Sequence, residues 1–235
     1  MGIGMILAAF GKTLGQIGDP RFRRVLGLGI GLAVLLLAFA YVAFLWVLQW
    51  ILGPSSTLPV VGEVTWINDL ATWGSLLFMT ILSVFLMVPV ASAITSMFLD
   101  DVAQAVEDKH YRHLPPATPV PFAEAVKDTV NFLGVLIAAN LLALIVYAIF
   151  SPFALFIFWA LNGFLLGREY FTLAAIRRVG RAGAKQLRRK HMGTIWLAGT
   201  LMAIPLSVPL MNLAIPILGA ATFTHIFHAA AAKEL

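Results

Sequence analysis

The stretch "GDPRFRRVLGLGIGLAVLLLAF", residues 18–39, decides the fold. It joins three arginines, Arg21, Arg23 and Arg24, to an apolar run that continues to Leu52 without a charged side chain. A helix of about 20 apolar residues crosses the hydrocarbon core of a membrane. The run therefore predicts a transmembrane helix over residues 25–52, which ends where Gly53-Pro54 stops a helix.

The composition of the whole chain indicates a membrane protein. Of the 235 residues, 60% are hydrophobic and 11% are charged, and the mean hydropathy is +0.92. Soluble domains carry about 25% charged residues. The chain has no cysteine, which excludes disulfides, thiol chemistry and iron–sulfur clusters.

Four blocks of the sequence contain no Asp, Glu, Lys or Arg: residues 25–62, 70–99, 129–167 and 192–232. The first two supply runs long enough to span a membrane. The third is broken at Ser151-Pro152 into arms of 22 and 15 residues, and the fourth is broken between Pro205 and Pro216. Each broken block forms either two thin spans or a helical hairpin that enters and leaves on one side. The freed backbone at such breaks needs protein or water around it, which indicates a solvated pathway.

The chain is predicted to be an all-α integral membrane protein with one domain, residues 1–235. The spacing of Phe10, Leu14 and Ile17 predicts a short interfacial helix over residues 3–17, and this start lacks the basic residue of a signal peptide. Residues 100–128 are too short for a separate domain and are expected to form a polar loop. The expected parts are an interfacial segment at 1–20, transmembrane helices at 25–52 and 70–99, and hairpins at 129–167 and 192–232.

The basic residues lie beside the apolar blocks, which favours a membrane surface over nucleic acid as their partner. If residues 53–69 form the far-side loop, all 16 Lys and Arg lie on the other side, and this predicts a cytoplasmic N-terminus. A basic segment near residue 180 is expected to present one helical stripe to anionic lipid headgroups. Its members are Arg177, Arg181, Lys185, and Arg188 or Arg189.

Three further patterns in the sequence concern helix packing, metal binding and catalysis. Two GxxxG pairs predict close packing between helices: Gly27 with Gly31, and Gly163 with Gly167. Two histidine pairs are predicted to be interfacial, because their spacing alone is a weak metal signal: His110 with His113, and His225 with His228. Glu107 and Asp108 lie near the first pair, but Pro115-Pro116 makes a loop there. No arrangement of side chains indicates a catalytic centre or a cofactor, so we expect the protein not to be an enzyme.

The three arginines of the opening stretch lie where a helix begins. Asp19 is a good N-cap and Pro20 suits the first helical position, so the arginines fall in the first turn. Cations are unfavourable there, because free backbone N–H groups and the helix dipole attract anions. The arginines are either topology anchors that contact lipid phosphate or the site of a small oxyanion.

Several stretches together resemble the CysZ family of bacterial sulfate permeases over nearly the whole chain. They are "DPRFRR", "PVASAITSMFLDDVAQAVE", "NGFLLGREYF" and "IPLSVPLMNLAIPILGAATFTHIF". The resemblance implies an all-helical fold with two long transmembrane helices and two hairpins that penetrate part way. It also implies a multi-pass protein of the bacterial inner membrane that forms dimers or larger oligomers and admits sulfate for cysteine biosynthesis.

The resemblance extends to the site itself. The family's sulfate motif is Gly-Leu-Arg, usually followed by a second arginine, at the start of the first helix. Arg23 and Arg24 match the two arginines of the motif. Phe22 matches the leucine, and the resemblance implies that its backbone binds the anion. Arg21 replaces the glycine, is expected to be a weaker ligand, and should tolerate substitution by glycine.

Two functions follow as expectations. The first is a channel or gradient-driven carrier for sulfate or a similar oxyanion, with Arg168 and Glu169 as second candidates along the pathway unless they pair structurally with each other. The alternative is a non-transporting membrane scaffold that binds anionic lipid or a partner protein.

Overall fold

The computed structural model describes residues 2–52, 56–58, 62–64, 73–78, 80–81, 90–91, 94–95, 97–118 and 122–234. Nearly all of them are helical, which confirms the all-α class. The helices are α1 (Ile3–Leu14), α2 (Pro20–Leu52), α3 (Leu99–His110), α4 (Phe122–Ile149), α5 (Ala154–Lys190), α6 (Met192–Ala203) and α7 (Ile215–Ala231). One short antiparallel hairpin follows α2 and pairs β1 (Ser56–Leu58) with β2 (Gly62–Val64).

Helix α2 is the long apolar helix that the opening stretch predicts. It has 33 residues and begins at Pro20, so the three arginines lie inside its first turn. Its length of about 50 Å exceeds the hydrocarbon core. Large apolar side chains on its outer surface, including Leu35, Phe39, Trp46 and Trp50, are between 65% and 78% exposed. Such a surface is suited to lipid rather than water.

Two described helical stretches are long and apolar enough to cross a membrane: residues 20–47 and residues 151–190. The predicted span at 70–99 lies largely outside the described residues. Its described parts, residues 73–78, 80–81, 90–91 and 94–95, are helical, and a turn at Met97-Phe98 separates them from α3.

The third apolar block is broken where the sequence predicts. A 3₁₀ turn at Ser151–Phe153 separates α4 from α5, because proline removes a backbone donor. The expected end of the second arm at Gly167 is wrong, since α5 has 37 residues and ends only at Lys190. Gly180, with φ 66° and ψ −177°, is the one non-helical residue within α5, and it kinks the helix. Charged residues after Gly167 are tolerated because this part of α5 packs against α7 and α3.

The fourth block also breaks at its prolines. Helices α6 and α7, of 12 and 17 residues, are joined by 3₁₀ turns at Ile204–Ser207 and Pro209–Leu213. Their lengths of about 18 and 26 Å are each below the core thickness of about 30 Å. The two arms are therefore too short to span the hydrocarbon singly.

Glycines allow α5 and α6 to pack with their backbones in contact. A Cβ added at Gly167 would lie 2.6 Å from the Ile195 carbonyl oxygen, and one at Gly199 would lie 2.9 Å from the Gly163 carbonyl carbon. The packing role of Gly163 and Gly167 is confirmed. The same role for Gly27 and Gly31 is wrong within the described residues, because a Cβ at either would meet nothing within 4 Å. Gly29 approaches Thr95 instead.

The polar segment at 100–128 is not a simple loop, because it contains most of α3 and the start of α4. The apolar side chains of α3, among them Leu99, Val102 and Val106, are buried. They join a core built with α1, the first turns of α2, the middle of α5, and α7. This core lies beside the first turn of α2 and holds the start of that helix against α3.

Candidate anion-binding site

The first turn of α2 is capped as its sequence predicts. The Asp19 Oδ1 atom accepts a hydrogen bond from the Arg21 backbone nitrogen at 2.9 Å. Its other oxygen accepts from Gln16 Nε2 at 2.9 Å, and Gln16 also donates to the Ala105 carbonyl of α3. Pro20 has no backbone N–H, and the backbone N–H of Arg21 already donates to Asp19. Among the described contacts, the Phe22 amide is therefore the first-turn donor with neither the cap nor a helical carbonyl as its partner.

The three arginines have different surroundings. Phe22 is buried in the core, while Arg21, Arg23 and Arg24 are exposed. Arg21 Nη1 forms an ion pair with Asp108 Oδ2 of α3 at 2.5 Å. Neither Arg23 nor Arg24 has a polar side-chain partner within the described part of the chain. These two guanidinium groups are consequently the ones available to an external anion.

A cavity of about 470 Å³ lies between the start of α2 and the end of α3. Three basic and two acidic side chains lie on its wall: Arg21, Lys109, Arg112, Asp19 and Asp108. Both carboxylates already accept hydrogen bonds from the protein. Hydrogen bonds from Arg21 and Gln104 lower the pKa of Asp108, so this carboxylate is firmly ionised. The cavity thus carries a net positive charge beside the first turn.

Behind the cavity, a buried ion-pair cluster is centred on Glu107. This residue is 2% exposed, and it accepts two hydrogen bonds from Arg178 at 2.9 and 2.7 Å. The Arg177 guanidinium lies 3.7 Å away, and His228 Nε2 lies 3.0 Å away. Burial alone would raise the pKa of Glu107, but the His228 and Arg178 hydrogen bonds outweigh it and hold the pKa at about 2. The cluster joins α3, α5 and α7.

Three of the predicted interfacial histidines cluster around Tyr111, and one of them is buried. His225 is 2% exposed, and its Nδ1 atom lies 3.0 Å from the Tyr111 hydroxyl. His228 stacks on the Tyr111 ring at 4.1 Å, and His110 meets the His225 ring edge-on. The interfacial assignment of His225 is therefore wrong. Among the described residues, no group of three or more His, Cys, Asp or Glu side chains has the arrangement of a metal site.

The basic stripe predicted along α5 is wrong as a continuous surface. Gly180 interrupts the helix within it, and Arg177 is 7% exposed because it donates to Gln104 Oε1 at 2.6 Å. Arg188 is turned back toward α5 and donates to Thr172 Oγ1 at 2.7 Å. Arg177 is buried and Arg188 is partly buried, so the predicted residues do not form one exposed stripe.

The structure places Arg168 and Glu169 on α5, partly buried. The sequence allows an ion pair between these two side chains, but the described contacts contain none. The Thr172 hydroxyl donates a hydrogen bond to the Arg168 backbone carbonyl at 2.5 Å and accepts one from the Arg188 guanidinium. Thr172 therefore links Arg188 to the turn of α5 that contains Arg168. No described polar contact joins Arg168 or Glu169 to Arg23 or Arg24.

Long lipid-facing helices, with a charged cluster packed at one end, define a helical membrane protein. A family model described as Sulfate transporter CysZ/Etoposide-induced protein 2.4 matches residues 9–216. The chain belongs to this family, and the resemblance noted in its sequence is confirmed. No curated protein and no solved structure matched the chain.

Proposed function

We propose that the protein is a sulfate permease of the bacterial inner membrane and that Arg23 and Arg24 capture the anion. The observation that carries this proposal is the pair of exposed guanidinium groups without a described counter-charge at the start of a lipid-facing helix. Two adjacent arginines suit a tetrahedral oxyanion, because each guanidinium offers two parallel N–H donors. The free Phe22 amide and the positive end of the helix dipole add to the attraction.

The proposal includes the transport of sulfate across the membrane and the use of that sulfate in the cell. Sulfate would leave the first turn of α2 through a channel, or by a carrier step driven by a gradient, and supply cysteine biosynthesis. The sequence has no nucleotide-binding motif that would make it an ATP-driven pump by itself. The membership of a sulfate transporter family supports sulfate as the anion and argues against an enzyme.

We further propose that α4–α5 and α6–α7 are hairpins that enter the membrane part way, in a multi-pass protein that forms a homo-oligomer. The short arms of α6 and α7 support the second hairpin, and the 3₁₀ turn at Ser151–Phe153 supports the first. Large apolar side chains of α2 and α4 are exposed, and we propose that they contact lipid and a second copy of the chain.

Lysine substitution distinguishes anion capture from topology anchoring. Arg23→Lys and Arg24→Lys keep the charge but lose the guanidinium fork, so each should weaken sulfate binding measurably. Arg23→Ala or Arg24→Ala should cost more, about tenfold to a hundredfold, as expected for a charge-assisted hydrogen bond of roughly 1.5–3 kcal/mol. Sulfate is titrated into each purified protein by calorimetry.

Arg189→Lys serves as the control, because Arg189 is an exposed arginine of α5 outside the cavity beside the first turn of α2. It should bind sulfate as the unaltered protein does. If both lysine variants at positions 23 and 24 also keep full affinity, and only membrane insertion changes, the arginines are topology anchors and the scaffold function stands instead.

A further inference from the structure

We infer that Asp108 is a positioning residue that neutralises Arg21 and so sets the net charge of the anion site. This inference rests on the proposed function. Arg21 lies at the start of α2 beside Arg23 and Arg24, and its guanidinium is bound to Asp108 at 2.5 Å. Arg21 and Asp108 thus act as one neutral unit, and the site meets an anion with two arginines rather than three.

The carboxylate of Asp108 is held in place from several directions. Gln104, one turn earlier on α3, donates to its other oxygen at 2.8 Å, and Arg112 Nε donates to its backbone carbonyl at 3.1 Å. The preceding residue, Glu107, fixes α3 to α5 through the buried pair with Arg178. Asp108 is therefore presented to Arg21 by a helix that is anchored on its other side.

The pair determines how strongly the first turn attracts a dianion. The Arg21 side chain is 51% exposed and that of Asp108 is 45% exposed, so solvent weakens but does not abolish the interaction between their charges and the site. Loss of Asp108 would leave Arg21 as a third uncompensated cation. Loss of Arg21 would leave a carboxylate facing the anion.

Sulfate binding by two single variants and their double variant tests whether the two charges cancel at the anion site. Asp108→Asn should tighten binding about threefold to tenfold at low ionic strength, as expected for one added charge acting on a dianion through solvent. Arg21→Gly alone should weaken binding by a similar factor, because it leaves the Asp108 carboxylate facing the anion, and this replaces the tolerance expected from the sequence alone. The double variant should return to within about twofold of the unaltered affinity, because it removes both charges together.

Lys185→Gln is the control, since it removes one exposed basic charge of α5 outside the cavity and leaves the pair intact. It should change the affinity by less than twofold. If Arg21 is instead a direct ligand, the double variant will bind as weakly as Arg21→Gly. An unchanged affinity in Asp108→Asn will also contradict the inference.

Thermal unfolding tests the Arg21–Asp108 pair separately from the proposed function. If the unaltered protein binds no sulfate, the same four proteins are unfolded by heat at low salt without any anion. Pairing predicts that each single change lowers the unfolding midpoint by about as much as the double change does. Independent, additive shifts will show that Arg21 and Asp108 are not a unit.

Discussion

Glu107→Ala is expected to lower the free energy of unfolding by about 3–5 kcal/mol, because it leaves buried arginines without their counter-charge. Arg177 and Arg178 are 7% and 12% exposed, so water cannot replace the lost carboxylate. A change of this size is a large share of the 5–15 kcal/mol that stabilises a typical protein, and the midpoint of thermal unfolding in detergent should fall sharply.

Two variants show whether the charge is the cause. Asp101→Asn removes an exposed carboxylate from the same helix and should cost little. Glu107→Leu combined with Arg178→Met removes both ends of the pair and should be more stable than Glu107→Ala. If Glu107→Ala unfolds at the unaltered temperature, the buried cluster does not hold α3, α5 and α7 together.

Gly199→Ala is expected to cost about 3 kcal/mol by forcing α6 away from α5. The new methyl group would overlap the Gly163 carbonyl and lie 3.0 Å from the Gly167 nitrogen, and backbone atoms cannot move aside as a flexible side chain can. The measurement is the unfolding midpoint, together with the yield of monodisperse protein.

Gly193→Ala is the control on the same helix, because a Cβ there meets nothing within 4 Å. It should be neutral or slightly stabilising, since alanine favours a helix more than glycine does. Equal behaviour of the two variants would mean that α5 and α6 are not packed backbone to backbone.

The features that sequence could predict are those with a local physical cause. The α2 span follows from an unbroken apolar run, the breaks at Ser151 and Pro205 follow from proline, and the cap at Asp19 follows from its side-chain oxygen. The close packing at Gly163 and Gly167 follows from small residues one helical turn apart. Each of these can be inferred without knowing what lies across the fold.

The features that sequence did not predict depend on distant partners. Glu107 is buried because Arg178 and His228, 71 and 121 residues later, satisfy it. A weak signal was present, since Glu107 follows Ala103 by four residues on the apolar face of α3 that also carries Leu99 and Val106. The Asp108–Arg21 pair is likewise set by tertiary packing, and the kink at Gly180 redirects what would otherwise be a basic stripe.

Uptake of labelled sulfate into liposomes that contain the purified protein tests the central claim most directly. The proposal predicts uptake well above that of protein-free liposomes, and a loss of at least about tenfold when Arg23→Ala and Arg24→Ala are combined at equal insertion. Uptake no faster than in protein-free liposomes, or undiminished uptake by the double variant, would contradict capture of sulfate by these two arginines.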